Sequence, residues 1–216
     1  MRPPSAIVFD LDGTLVDSRR DLWRAVNEAL GAVGAPTRNF EAVCARVGRG
    51  ATHLVRQCLP ADRRGEAEVE VALAAFSAAY TEGLAIETRP FPGVEQALAA
   101  APAPLAVLTN KPGPMARALL EALGLSARFA QIVGAGELPA LKPDPRGLAA
   151  LLAALGAAPQ DAWYVGDMPL DVEVARGAGC RAAAVTWGLG GRAALEAARP
   201  DRLLDTPGAL SDLWKP

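Results

Sequence analysis

The chain has no strong charge of either sign: 22 Lys and Arg against 24 Asp and Glu leave a formal net charge of −2. That balance gives no electrostatic attraction to nucleic acid or to an acidic membrane surface. No apolar run approaches the roughly 20 residues that a membrane span needs. Cysteine is scarce: Cys44, Cys58 and Cys180 are odd in number and far apart, which argues against a disulfide framework and for reduced thiols in a cytoplasmic protein. Residues 1–5 run directly into the first strand, so no secretory leader is expected. Aromatic residues make up only 5%, and Trp23, Trp163, Trp187 and Trp214 have no spacing that builds a stacking platform; they read as packing residues. No internal repeat is present. What remains is an ordinary soluble balance, 51% hydrophobic and 21% charged over 216 residues, enough for one or two domains with a sizeable core.

Within this background, Ile7-Val8-Phe9-Asp10-Leu11-Asp12-Gly13-Thr14 runs three apolar residues into two carboxylates and a turn. A short apolar run bounded by turn residues reads as a buried strand. Acids at its end must be paired, hydrogen-bonded or bound to a cation, because an isolated buried charge is strongly unfavourable. In an open parallel sheet, ligands sit at the carboxyl ends of the strands. The stretch therefore points to a metal-dependent site.

Downstream, Ser18 reads as a helix cap and Asp21, three residues on, as a complement to the exposed amides of the first turn. Leu22, Val26, Ala29 and Leu30 recur at helical spacing, and the stretch from Gly31 to Pro36 ends the helix. Residues 39–83 read as helical with breaks at 48–50 and 59–61, and Val69, Leu73, Phe76 and Tyr80 share one apolar face. No strand is expected between about 15 and 86. From Arg89 strands and helices alternate, with strands at 105–109, 131–134, 162–166 and 183–187 and a short edge strand at 201–204. Between them, Pro92-Gly93 opens one helix, Pro114 and Gly124 bound a second, Asp144-Pro145 starts a third by cap and first-turn proline, and a fourth runs over 170–178. Such alternation predicts an α/β fold, a doubly wound, Rossmann-like parallel sheet. The expected core is residues 1–14 and 87–216, with residues 15–86 inserted after the first strand as a helical cap.

A parallel sheet brings its strand ends to one rim. The first strand delivers Asp10 and Asp12, the second Thr109-Asn110-Lys111, and the loop after the third Lys142-Pro143. The fourth delivers Gly166-Asp167, with Asp171 a helical turn further on. Pro143 disfavours helix at Lys142 and holds it extended, aiming a long side chain before the next helix begins. Each motif alone is also compatible with an ordinary turn or loop; the weight comes from their occurrence at successive strand ends.

These motifs, Phe9-Asp10-Leu11-Asp12-Gly13-Thr14, Thr109-Asn110, Lys142-Pro143 and Gly166-Asp167-x-x-x-Asp171, resemble the four motifs of the haloacid dehalogenase superfamily of phosphohydrolases. The resemblance spans nearly the whole chain. Leu108–Pro112, Leu141–Pro145, Val47–Ala51 and Arg176–Cys180 resemble the phosphoglycolate phosphatase branch. It implies Asp10 as nucleophile through an aspartyl-phosphate, and Asp12 as the acid that protonates the leaving alkoxide and then the base that activates water. It implies Mg²⁺ held by the carboxylates of Asp10 and Asp167 and the backbone carbonyl of Asp12, with Asp171 acting through a water or as a hydrogen-bond acceptor. Thr109, the amide of Asn110 and Lys142 would hold the phosphoryl oxygens. Asp12 favours phosphate-ester cleavage over carbon–halogen or phosphonate cleavage.

Two departures from the family pattern stand out. Met168 follows Asp167 where relatives often carry a small hydroxylated residue, and Arg49 occupies a position that is frequently Asn. Between its glycines, Arg49 reads either as a clamp for a substrate carboxylate or as a solvated loop charge. Lys111 reads as an electrostatic aid at the rim or as a solvated lysine. His53, the only histidine, is placed on the cap surface or in its packing; the chemistry needs none. The expected substrate is a small phosphorylated metabolite, first 2-phosphoglycolate, for a monomer or homodimer with no nucleic acid or membrane partner. Sugar phosphomutase, pyrophosphatase or nucleotide phosphatase, and a non-catalytic phosphate-binding module are the alternatives.

Overall fold

The computed structural model describes residues 3–137 and 139–214; Met1 and Arg2, at the head of the segment expected to carry no leader, lie outside them. Strand β1 (Ile7–Phe9) is followed by a two-residue strand β2 (Val16–Asp17) and by helices α1 (Arg19–Ala32), α2 (Phe40–Cys44), α3 (Ala51–Cys58) and α4 (Glu66–Glu82). The chain returns through β3 (Arg89–Pro90) and α5 (Val94–Ala99) to β4 (Leu105–Pro112), α6 (Gly113–Ala122) and β5 (Gln131–Ala135). It continues with α7 (Arg146–Ala154), β6 (Trp163–Gly166), α8 (Pro169–Gly177), β7 (Arg181–Val185), α9 (Arg192–Ala198) and β8 (Arg202–Leu204).

Six strands form one sheet in the order β5-β4-β1-β6-β7-β8, every neighbouring pair parallel. Ile7 lies opposite Leu105 on one side and Trp163 on the other. Successive side chains of a strand point to opposite faces. Ile7, Phe9, Val107 and Val165 accordingly enter one apolar cluster, and Val8, Ala106, Leu108 and Tyr164 the other. Helices cover both faces, the doubly wound arrangement predicted from the alternation. From β1 the chain moves out to β4 and β5, then crosses back to β6, β7 and β8 on the other side. That reversal opens a crevice at the carboxyl ends, beside β1.

Helices α1–α4 enclose a third apolar cluster. Helix α1 buries Leu22, Ala25, Val26, Ala29 and Leu30, as its spacing predicts. Val69, Phe76 and Tyr80 of α4 are buried with them, Phe76 and Tyr80 stacked at 5.8 Å, while Leu73 is only partly buried. No helix among the described residues is long and apolar enough to cross a membrane.

Four local expectations need correction. Residues 15–86 do contain a strand: β2 pairs antiparallel with β3, Val16 opposite Pro90 and Asp17 opposite Arg89. Two residues are too short to leave a periodic signal. Ser18 is the N-cap residue of α1, but its hydroxyl makes no bond to the helix and donates to Asp12 Oδ1 at 2.5 Å. Asp21 is the acid of the first helical turn, but its carboxylate is wholly buried and takes its hydrogen bonds from Glu87 and Thr88. Helix α7 starts one residue after Pro145, with the Asp144 carboxylate accepting the Arg146 amide at 2.9 Å. Helix α9 was not anticipated from the sequence.

Candidate active site

Asp10 is the first residue beyond β1, and its backbone amide donates to Val165 of β6 at 2.8 Å, so the sheet itself locates it. The chain then turns tightly, with the amides of Leu15 and Val16 donating to the Leu11 carbonyl. Gly13 sits at φ +87°, and a Cβ there would overlap the Asp167 carboxylate. Only glycine combines that backbone angle with that approach.

Three carboxylates, of Asp10, Asp167 and Asp171, each offer an oxygen within 4.8 Å of the others, and all three are buried. Lys142 reaches between two of them, Nζ lying 2.9 Å from Asp10 Oδ2 and 2.7 Å from Asp171 Oδ1. The other oxygen of Asp171 accepts the Met168 amide at 2.9 Å. Asp167 has no cation against it among the described residues: it accepts only from the Thr14 hydroxyl at 3.1 Å and the Leu189 amide at 2.7 Å. Burial, with repulsion from Asp171 and Asp10, pushes the Asp167 carboxyl up to about 8. Burial also lifts Asp10 to about 6, against the opposing pull of Lys142. Lys142 stays charged because Asp10 and Asp171 outweigh its own burial, holding it well above the ordinary lysine range. One ammonium for three buried acids leaves a deficit of positive charge among hard oxygen donors. Such a donor set fits a divalent cation.

Asp12 stands apart from this cluster. Its carboxylate accepts from the Ser18 hydroxyl and from Lys111 Nζ, at 3.1 Å to Oδ1 and 3.0 Å to Oδ2. Lys111 is therefore no solvated rim lysine; it is 6% exposed and lies over the Tyr80 ring, 4.3 Å from its centroid. Burial opposes its charge and Asp12 more than restores it, so its ammonium titrates well above the ordinary range. The two acids at the end of β1 are thus each held by a different lysine.

Thr109 and Asn110 lie within β4, both buried. The Thr109 oxygen accepts the Lys111 amide at 3.2 Å, which leaves its hydroxyl hydrogen free to donate. The Asn110 side chain works as a brace. Its Oδ1 accepts the Lys142 amide at 2.8 Å, and its Nδ2 donates to the carbonyls of Lys142 at 3.1 Å and Gly48 at 3.0 Å. One side chain therefore fixes both the lysine loop and the loop between α2 and α3. Met168 offers no hydroxyl, and its sulfur instead packs at Gly48 of that same loop, where a Cβ would collide with it.

The rim encloses a cavity of about 40 Å³ between the sheet and the helices. Asp10, Asp12, Thr109, Lys111, Phe76 and Tyr80 all line it. Burial pushes the Tyr80 phenol up. Arg49 is exposed and does not line the cavity, although both flanking glycines do. Its charge, after partial burial, lowers the imidazole of neighbouring His53. Of the residues singled out from sequence, Asp10, Asp12, Thr109, Asn110, Lys142, Asp167 and Asp171 converge; Arg49 does not. Thr14, Ser18 and Tyr80 join the site without a sequence signal that marks a role for them there. Ser18 resembled a cap and Tyr80 a core aromatic, and no local pattern separates those readings from a site role.

Residues 4–179 match the family model of the haloacid dehalogenase-like hydrolases. The chain is 41% identical over 194 residues to phosphoglycolate phosphatase 1 of Pseudomonas aeruginosa, covering 87% of this chain and 71% of that protein. It is 38% identical to a phosphoglycolate phosphatase of Chromobacterium violaceum, covering 97% and 96%. Among solved structures, a protein from Haemophilus somnus described as a predicted phosphoglycolate phosphatase superposes with a TM-score of 0.91 at 30% identity, covering 99% of both chains. The chain belongs to the haloacid dehalogenase-like hydrolases, in their phosphoglycolate phosphatase-like branch.

Proposed function

We propose that this phosphoric monoester hydrolase acts on 2-phosphoglycolate, with Mg²⁺, through a phosphorylated Asp10. The observation that carries the reading is the division of labour at the end of β1: Asp10 joined to Lys142 and the acid cluster, Asp12 joined to Lys111 outside it. In the first half-reaction an Asp10 oxygen attacks phosphorus while the ester P–O bond breaks. Protonated Asp12 gives its proton to the departing glycolate oxygen. In the second, Asp12 takes a proton from water as that water attacks phosphorus and the Asp10–phosphate bond breaks, releasing phosphate and restoring both carboxyls. Lys142, the Thr109 hydroxyl and the Asn110 backbone amide hold the phosphoryl oxygens, where charge must be stabilised.

Asp10 and Asp167 would bind Mg²⁺ through carboxylates and Asp12 through its backbone carbonyl, with Asp171 orienting a bound water or Lys142. Bound Mg²⁺ supplies the positive charge that the acids lack and polarises the phosphoryl group. In this reading residues 15–86 are a cap over a core of residues 1–14 and 87–216, and the cap excludes water from the cavity. Phosphate release from a panel of small phosphate esters and pyrophosphate, with and without Mg²⁺, tests the proposal. Mg²⁺-dependent release with preference for 2-phosphoglycolate is expected. Equal release without metal, or none from any ester, would overturn it.

A further inference from the structure

The cavity has one anomaly. The Tyr80 hydroxyl is buried and makes no close hydrogen bond among the described residues, although buried hydroxyls are ordinarily bonded; the Lys111 ammonium approaches it at the margin of hydrogen-bond reach. Tyr80 lines the same cavity as Lys111, whose ammonium lies on the face of its ring. An ammonium carries three N–H donors, and the two Asp12 oxygens take two of them. The wall around this pair is apolar, made by Leu22, Leu54, Phe76 and Met115. Beside Asp12 the cavity therefore offers the Tyr80 hydroxyl hydrogen and the third ammonium hydrogen, in surroundings that strengthen any ionic contact.

We infer that Tyr80 and Lys111 form the subsite that selects the leaving group, taking a carboxylate with one oxygen on the Tyr80 hydroxyl and the other on Lys111. This rests on the phosphatase reading above and names its specificity residues. Two donors match the two oxygens of a carboxylate, and a cationic donor favours an anionic acceptor over a neutral one. The free volume, about 40 Å³, is on the order of three water positions. A space of that size suits a short spacer before the carboxylate. Arg49, the cation that the sequence offers for such a carboxylate, is exposed and outside the cavity.

The test is equilibrium binding of 3-phosphonopropionate and propylphosphonate by calorimetry with Mg²⁺, in the native protein and in Tyr80→Phe. The two phosphonates differ only by carboxylate against methyl and cannot be hydrolysed as esters. The native protein is expected to bind 3-phosphonopropionate at least about tenfold more tightly, and Tyr80→Phe to reduce that ratio several-fold. Equal affinities in the native protein, no binding of either, or a ratio unmoved by Tyr80→Phe overturns the inference. A protein that discriminates between the phosphonates but releases phosphate from no ester keeps the subsite and loses the hydrolytic reading. One that hydrolyses esters without discriminating does the reverse.

Discussion

Asp21 and Thr88 close the point where the helical segment leaves and rejoins the sheet: Asp21 Oδ2 accepts the Thr88 amide at 2.9 Å and its hydroxyl at 2.6 Å. Asp21 is in α1, at the start of the helices, and Thr88 just precedes β3 at their end. Beside them β2 and β3 pair, so the two crossings are bound to each other. Asp21→Ala would leave buried donors unpaired and is expected to destabilise the protein by roughly 2–4 kcal/mol. Urea unfolding of the variant checks this, and a loss under 1 kcal/mol would remove the junction role.

Asp10→Asn should abolish phosphate release, since an amide is no substitute for the carboxylate nucleophile. The same change removes one charge from a crowded acid cluster. At pH 8 without metal the variant should melt at or above the native temperature. Retained turnover would take Asp10 out of the nucleophile role; a large fall in melting temperature would mean that Lys142 depends on its charge more than the repulsion from its neighbours costs.

Metal and pH should be linked. Asp10 and Asp167 are raised from the ordinary 3.8 to about 6 and about 8. A raised carboxyl binds its proton more tightly folded than unfolded. Its favourable contribution is therefore lost as pH climbs from about 4 through the folded values. Metal-free protein should lose stability over that window, and Mg²⁺, which favours the ionised acids, should stabilise more at pH 8 than at pH 5. Thermal melts across pH with Mg²⁺ and with chelator decide it; a metal increment independent of pH would argue against binding at these acids.

Asn110→Ala should lower kcat/KM by about tenfold or more, because a brace on the Lys142 backbone and on Gly48 is lost and small displacements of catalytic groups are expensive. Activity within twofold of native would show that Pro143 and the salt bridges suffice to hold Lys142.

Arg49→Ala should change KM for a carboxylated ester less than about twofold, the usual outcome for an exposed charge away from the contact. A rise confined to carboxylated esters would bring Arg49 back as the clamp and weaken the assignment of Tyr80 and Lys111.

The sequence by itself determined the elements and the chemistry at their ends. Three apolar residues running into Asp10 mark a buried strand wherever they occur, and the alternation after Arg89 leaves few topologies other than a parallel sheet. Once strands are parallel, Asp10, Thr109, Lys142 and Asp167 must share a rim. What only the tertiary structure decided is partner choice among side chains whose local context is ambiguous. Ser18 had both a helix start and an acid within reach, and the acid took it; Asp21 had the first turn of its own helix and was drawn instead to amides over sixty residues away. Lys111 and Arg49 are both cations in loop or strand-end settings, yet one is buried on Asp12 and the other faces solvent. The helices set that difference by the way they pack against the sheet. A periodicity records which face of a helix is apolar, and it carries nothing about which polar group the opposing element will present.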